Sequence, residues 1–401
     1  MARKPNLLPF LTIQHDAQID FSEVLNSNEE DSNATIWTSV YKQGMSLKKR
    51  KTPIHDTIEI TPSDSGQGLS LKGSEGVELT YENKRTLTGY CKKLGIDGLR
   101  ISFPKKQLKP EIGGKKGGIF IVVQILSFDV SPTEDLYVAG SGDGRLAVYD
   151  LQKDERRMDL IGHSEDVTAC KFFPSGQGHT SFVTDVDIVG IGKNVISSSK
   201  DGTVRLWNCG TSSEVCVFKI GERPVNCINL GSYTTKDEHE TQEKLFIAGS
   251  ADGTIQIYDI LGKKRAITSY SNTLQEVTAV AYLPASGLYA SGTSNGAVEI
   301  WDIRSHATPL FCFQRNDSKI TDLSLSKGIE GHEPTCFVAT ADGGFYKTSE
   351  LSSENDIQVV EEFIGPDLDC ITRIRSINNP DKPNIYPNIW NSCIDGTIRL
   401  Y

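Results

Sequence analysis

The sequence predicts an all-β fold: a β-propeller, a ring of small four-stranded sheets, behind a small β-rich N-terminal domain. Two observations carry this expectation. A short hairpin phrase is written six times, as GSGDGRLAVYD (Gly140–Asp150), SSSKDGTVRLWN (Ser197–Asn208), AGSADGTIQIYD (Ala248–Asp259), SGTSNGAVEIWD (Ser291–Asp302), VATADGGFYKT (Val338–Thr348) and NSCIDGTIRLY (Asn391–Tyr401). The copies recur at irregular spacings of roughly 40 to 60 residues, the period of a propeller blade. In each, an Asp-Gly, Asn-Gly or equivalent pair supplies the positive φ angles of a tight turn. The flanking residues alternate, so that one face of the hairpin turns inward.

Taken in order, residues 1–95 lack the phrase and read as the N-terminal domain. They hold an amphipathic opening (Ile13–Leu25), an acidic turn, and short alternating stretches at Ile36–Tyr41, Thr57–Ile60 and Val77–Tyr81. Residues 96–118 read as a linker, Lys-, Gly- and Pro-rich from Pro104 on, with one candidate closing strand inside it. Residues 119–401 read as the propeller. Inner strands are expected at Ser127–Val130, Val167–Phe172, Val183–Val189, Val225–Leu230, Val277–Tyr282, Ile320–Leu325 and Cys370–Ile374.

Seven inner strands against six hairpins is a mismatch, and it can be located. After KFFPSGQ, ending at Gln177, the chain restarts with GHTSF where a hairpin is due, so the second repeat is truncated. Six complete repeats plus one truncated repeat are therefore expected. Tyr401 ends a third strand, which leaves the last blade to borrow its outer strand from the N-terminal side. Gly98–Phe103 (GLRISF) is the candidate for that strand.

Charge and cysteine usage narrow the class. The 401 residues carry a net charge of −10, with 42 Lys+Arg against 52 Asp+Glu. Residues 1–117 hold 18 basic and 14 acidic residues, so the remainder, with 24 and 38, carries −14. An acidic ring argues against nucleic acid as a partner and favours a basic protein surface. Nine scattered cysteines without a C-x-x-C pair read as reduced thiols of an intracellular protein. No stretch approaches a membrane-spanning length, and the short apolar run near the start, interrupted by Pro9, is discounted as a secretory signal. Cytoplasmic and nuclear residence is expected, with the basic run Lys48–Lys51 either an import signal or a solvated loop.

One polar constellation stands out: His179, Ser197, Asp201 and Trp207. A Ser-His-Asp hydrolase would use these residue types, but the serine lacks the strand-to-helix elbow of such a nucleophile. Their spacing fits a structural tetrad, with histidine before an inner strand, serine on the second strand, aspartate in the turn and tryptophan on the third. The turn aspartates lack the dense oxygen ligands of a calcium site, and the seven histidines show no metal spacing. No catalytic residue, cofactor or metal is expected. Binding is expected instead at the loops that precede the inner strands, which line one rim of the channel. The candidates there are Glu165, Asp166, Phe182, Glu222, Arg223, Gln275, Asp317, Asp367 and Asp369, mostly acidic.

Between Cys170 and Gly210 the text becomes specific. KFFPSG followed by VTDVDIVGIGKNVISSSKDGTVRLWNCG, together with the opening TIQHDAQIDFSEVLNSNEED, resembles the proteasomal ATPase-associated factor family. These are WD40 assembly chaperones of the proteasome regulatory particle. The resemblance implies a seven-bladed WD40 propeller behind a small N-terminal domain. It also implies binding to the C-terminal domain of a regulatory-particle ATPase subunit and implies no catalytic residue; a monomer in isolation is expected. The chain departs from the family at the FFPSGQ–GHTSF junction and at the extra apolar FIVVQIL before SFDVSP. A generic WD40 scaffold for signalling or ubiquitin-ligase complexes is the alternative reading.

Overall fold

A computed structural model describes residues 5–26, 34–42, 54–63, 68–74, 76–110, 115–116, 119–120, 124–131, 134–143, 145–160, 179–189, 193–211, 213–230, 245–326, 334–351, 357–365, 369–377 and 388–401. Among these residues, six four-stranded antiparallel blades are seen. The first comprises Ile125–Val130, Leu136–Ser141, Leu146–Asp150 and Glu155–Leu160, and the second Val183–Val189, Asn194–Ser199, Thr203–Asn208 and Ser213–Lys219. The third runs from Val225–Asn229 to Lys264–Tyr270, the fourth from Val277–Leu283 to Phe311–Gln314, and the fifth from Ile320–Ser326 to Val359–Phe363. The sixth comprises Ile371–Ile377, Asn388–Cys393, Ile398–Leu400 and a strand from elsewhere in the chain. All six hairpin phrases form the second and third strands of a blade. The expected inner strand Val167–Phe172, and with it the truncated repeat, lies outside the described residues.

Neighbouring blades are fastened by side chains of the inner strands. Thr184 Oγ1 donates to Val225 O at 2.6 Å, Asn226 Nδ2 to Val277 O at 2.8 Å, Thr278 Oγ1 to Ile320 O at 2.5 Å and Thr372 Oγ1 to Ile125 O at 3.2 Å. Channel-facing acceptors repeat the device. Asp185 accepts from Ile228 N, Asp187 from Leu230 N, Asn229 from Tyr282 N and Asp322 from Ile374 N, all at 2.8–3.2 Å. The links run from the second blade through the sixth and on to the first. Each removes a backbone group or a carboxylate from the set that would otherwise be buried unpaired.

The N-terminal domain holds a four-stranded sheet (Pro9–Ile13, Ala34–Lys42, Ile54–Pro62, Leu69–Gly73), the helix Ala17–Asn26 and a three-stranded ribbon (Glu78–Asn83, Thr86–Cys91, Ile96–Ser102). The helix covers much of the amphipathic opening and buries Ala17, Phe21 and Val24. One apolar core joins helix, sheet and ribbon and reaches Ile364 of the propeller.

Here the closing-strand expectation is corrected. Gly98–Phe103 does not complete the last blade. Ile96–Ser102 instead runs parallel to the outer strand of the fifth blade, pairing Arg100 with Glu361 and Ser102 with Phe363. The sixth blade is closed by Lys106–Leu108, antiparallel to Ile398–Leu400, with Leu108 opposite Ile398. Burial decides between them. Leu99, Ile101 and Phe103 complete the N-terminal core, whereas Leu108 drops into the cluster of Phe128, Tyr149 and Trp390. The segment expected to be a linker thus carries three strands of different sheets, the third being Lys115–Lys116, which pairs with Ile119–Phe120. A second N-terminal strand, Asn6–Leu7, lies parallel to Phe311–Gln314 at the edge of the fourth blade.

Candidate protein-interaction rim

The rim is built from the loop ahead of each inner strand, laced to the hairpin turn of the same blade. The carbonyls of Gln124, Phe182, Pro224, Glu276, Lys319 and Cys370 accept from the backbone N–H groups of Gly142, Lys200, Ala251, Ser294, Ala341 and Ile394 at 2.9–3.2 Å. The turn glycines also allow close approach of the loop that leads into the next blade. Gly202 has φ of 80°, and a Cβ there would sit 2.4 Å from Gly221 O; Gly296, with φ of 82°, would place one 2.1 Å from Asn316 O. The loops are therefore held on rigid hairpins. Turn aspartates are engaged locally: Asp201, Asp252 and Asp395 each accept from the N–H two residues on, at 2.9–3.0 Å.

The candidate rim residues fall as follows. Phe182 is 57% exposed, with the Lys200 ammonium 5.2 Å from its ring centre. Glu222 and Arg223 are exposed ahead of the third blade, and Glu222 pairs with Lys219 at 2.9 Å. Gln275 is exposed beside Leu274, which is 71% exposed and had escaped the sequence reading. Asp317 is exposed and accepts from Gln314 Nε2 at 3.3 Å, while Asp369 is half-buried. Glu165, Asp166 and Asp367 lie outside the described residues, as does the basic run Lys48–Lys51. The described part of the rim combines isolated apolar side chains with carboxylates, a composition suited to a protein partner.

The tetrad residues meet inside the second blade. His179 contacts Asp201 Oδ2 through Nδ1 at 3.0 Å and Ser197 Oγ through Nε2 at 2.7 Å, and Trp207 Nε1 donates to Ser197 Oγ at 2.8 Å. Both His179 and Asp201 side chains are almost fully buried, at 5% and 6% exposure. Burial would raise the Asp201 carboxyl, but hydrogen bonds from Thr203 and His179 outweigh it and hold the group well below the usual carboxylate range. Ser197 Oγ is buried between a ring nitrogen and an indole.

The fourth blade builds the same corner differently. Trp301 Nε1 again donates to a serine, Ser291 Oγ, at 3.0 Å. The place of the histidine is taken by Glu299, which is 0% exposed and accepts from Ser291, Ser271 and Asn272 N at 2.9–3.2 Å. Burial pushes this carboxyl up to about 7, against the pull of those three bonds. Sequence reading had missed it. The signal was a glutamate at an inward position two residues before the tryptophan of a strand.

The channel holds a cavity of about 130 Å³ lined by Asp185, Asp187, Asn229, Asp322, Arg373 and Arg375, among others. Arg373 reaches Asp185 at 3.1 Å, and Arg375 reaches Asp129 at 3.2 Å and Asp322 at 3.8 Å. Two arginines of the sixth blade thus tie the first, second and fifth together across the axis. Burial raises the Asp322 carboxyl, opposed by both arginines. The carboxylates are engaged as staples, and among the described residues no group of His, Cys, Asp and Glu could hold a metal ion.

A profile described as WD domain, G-beta repeat matches residues 176–208, and one described as Nucleolar protein 10-like, N-terminal domain matches residues 200–369. The crystal structure of RRP9 WD40 repeats superposes with a TM-score of 0.56 over 74% of this chain and 100% of that one, at 12% identity, a likeness of fold alone. The 26S proteasome regulatory subunit RPN14 of Saccharomyces cerevisiae is 30% identical over 352 residues, 77% of this chain and 78% of its own length. The probable proteasomal ATPase-associated factor 1 of Dictyostelium discoideum is 26% identical over 93% of both chains. The chain belongs to the proteasomal ATPase-associated factor family. Within that family its N-terminal domain is matched as well as its WD40 propeller. By contrast, the match to pre-mRNA-processing factor 19 homolog 2 of Arabidopsis thaliana, 28% identical, spans only 36% of that protein's length. Among the described residues, no helix is long and apolar enough to cross a membrane.

Proposed function

We propose that this WD40 protein is a non-enzymatic chaperone of proteasome assembly. It holds the C-terminal domain of a regulatory-particle ATPase subunit against its acidic rim and delays premature docking of assembly intermediates. The observation that carries the reading is the 30% identity to a 26S proteasome regulatory subunit across most of both chains. The rim supports it physically. Loops pinned to their own hairpins lose little freedom on binding, and carboxylates favour encounter with a basic surface. The channel acids and the His179 corner are occupied by structural bonds, which supports the reading of the displayed rim as the working surface.

Affinity purification of the tagged chain tests the reading. Free ATPase subcomplexes are expected to be recovered, in preference to mature proteasomes. The triple charge reversal Glu222→Lys, Asp317→Lys and Asp369→Lys is expected to weaken recovery about tenfold or more. Recovery of signalling or ubiquitin-ligase components without any proteasomal ATPase would transfer the protein to the generic scaffold class.

A further inference from the structure

We propose that Arg315 is a positioning residue through which the N-terminal domain fixes the rim segment Asn316–Lys319 between the fourth and fifth blades. This rests on the reading of the rim as the partner-binding surface. Arg315 directly follows the outer strand Phe311–Gln314 and is 3% exposed. Its guanidinium forms a two-point ion pair with Glu362 of the fifth blade, at 3.0 and 2.7 Å. It also lies 4.1 Å from the ring centre of Phe10, in the N-terminal sheet, and 4.8 Å from that of Tyr346, in the fifth blade. One buried cation is therefore shared by the N-terminal domain and two blades. Such a charge is tolerated only while its partners stay in place.

The same strand end is gripped from outside. Asn6–Leu7 pairs with Phe313 and Gln314, and Leu8 N donates to Gln314 O at 2.9 Å. Beyond Arg315 the chain becomes rim. Gln314 Nε2 donates to Asn295 O at 2.6 Å and to Asp317 Oδ1 at 3.3 Å. Asn316 Nδ2 donates to Asp342 Oδ2 at 2.6 Å, and Asp342 N donates to Ser318 Oγ at 3.1 Å. The placement of Asp317 thus inherits its precision from Arg315 and from the N-terminal residues that clasp it. The loop ahead of the third blade shares the hairpin lacing, Ala251 N to Pro224 O matching Ala341 N to Lys319 O, adds Gly221 N to Gly202 O, lies away from Arg315 and Phe10, and serves as the internal control.

The test uses the full chain and the variants Phe10→Leu, Arg315→Met and Arg315→Lys, at a temperature where each remains folded. Amide hydrogen exchange is followed at residues 316–319 and at the control loop 221–224. The Kd for a purified proteasomal ATPase C-terminal domain is measured in parallel. Phe10→Leu and Arg315→Met are expected to speed exchange at 316–319 about tenfold or more while leaving the control loop unchanged. They should raise Kd about three- to tenfold, with Arg315→Lys between them and the parent because it keeps the charge without the planar two-point grip. Should Arg315→Met not fold, Phe10→Leu, which leaves the ion pair intact, carries the test. Unchanged exchange at 316–319 overturns the inference. So does faster exchange with unchanged Kd, if Asp317→Lys still weakens binding. A parent chain that binds no ATPase domain sinks the proposed function alone, and the exchange rates then still decide whether Arg315 positions the segment.

Discussion

Glu299 and His179 show how one corner of a blade accepts two chemistries. Each sits behind a Ser–Trp pair, but Glu299 is a carboxyl at 0% exposure with its pKa pushed up to about 7 by burial. The folded state therefore binds a proton that the unfolded chain, near 4.5, has released. Stability from this group is fully present below about pH 4.5 and is lost as pH rises toward 7. At about 1.4 kcal/mol per pH unit the loss approaches ~3 kcal/mol. Glu299→Gln keeps the acceptor oxygen without the ionisation, so its melting temperature should exceed the parent's at pH 8 and converge with it at pH 5. Equal differences at the two pH values would show that Glu299 does not ionise in this range. In the second blade, Ser197→Ala strands both His179 Nε2 and the Trp207 indole N–H, at an expected cost of about 1–3 kcal/mol. Denaturant unfolding measures that cost. If the proposed function holds, binding to the ATPase domain should survive the change, because the buried serine holds the blade together.

At the scale of elements, the closing strand is the most informative. Lys106–Leu108 has only three residues, and a single apolar side chain, Leu108 at 1% exposure, anchors it. Leu108→Ala is expected to destabilise by about 2–5 kcal/mol and to expose the amides of Ile398–Leu400 to exchange. Ile101→Ala should instead loosen the ribbon and Val359–Phe363. If Ile101→Ala opened the sixth blade and Leu108→Ala did not, the strand pairing would be wrong. The contrast explains what the sequence could and could not convey. The hairpins were legible because Asp-Gly turns and alternation are local, and each of the six phrases lies on two paired strands. GLRISF was also legible as a strand, but its destination was not. Alternation fixes which residues face a core, not which core. Three residues, as in Lys106–Leu108, carry too little periodicity to be noticed at all. The rim shows the same limit. Phe182 and Asp317 could be placed by their position ahead of inner strands, whereas the Arg315–Phe10 contact joins residues some three hundred positions apart, beyond the reach of any spacing argument.

Across the whole molecule, the N-terminal domain and the ring are bound by strand pairing as well as by packing. Asn6–Leu7 extends the fourth blade, Ile96–Ser102 extends the fifth, and Lys106–Leu108 closes the sixth. The domain's core also reaches Ile364. Among the described blades, the fourth and fifth therefore have their outer edge covered by the same N-terminal stretch and the sixth takes its outer strand from it, which pairs edges that would otherwise be open to other chains. Two truncations separate the contributions. Removal of residues 1–103 takes away the first two strands and uncovers the Arg315–Glu362 pair, yet leaves the closing strand in place. Removal of residues 1–110 takes all three. Calorimetry is expected to show a lower melting temperature for the shorter deletion. The longer one should show a further drop and a broadened transition, because the sixth blade then ends on an unpaired third strand, and its Thr372 link to the first blade loses its backing. Identical melting of the two truncations would mean that Lys106–Leu108 contributes nothing to closure, and that the ring is held by the inner-strand links and the channel arginines alone.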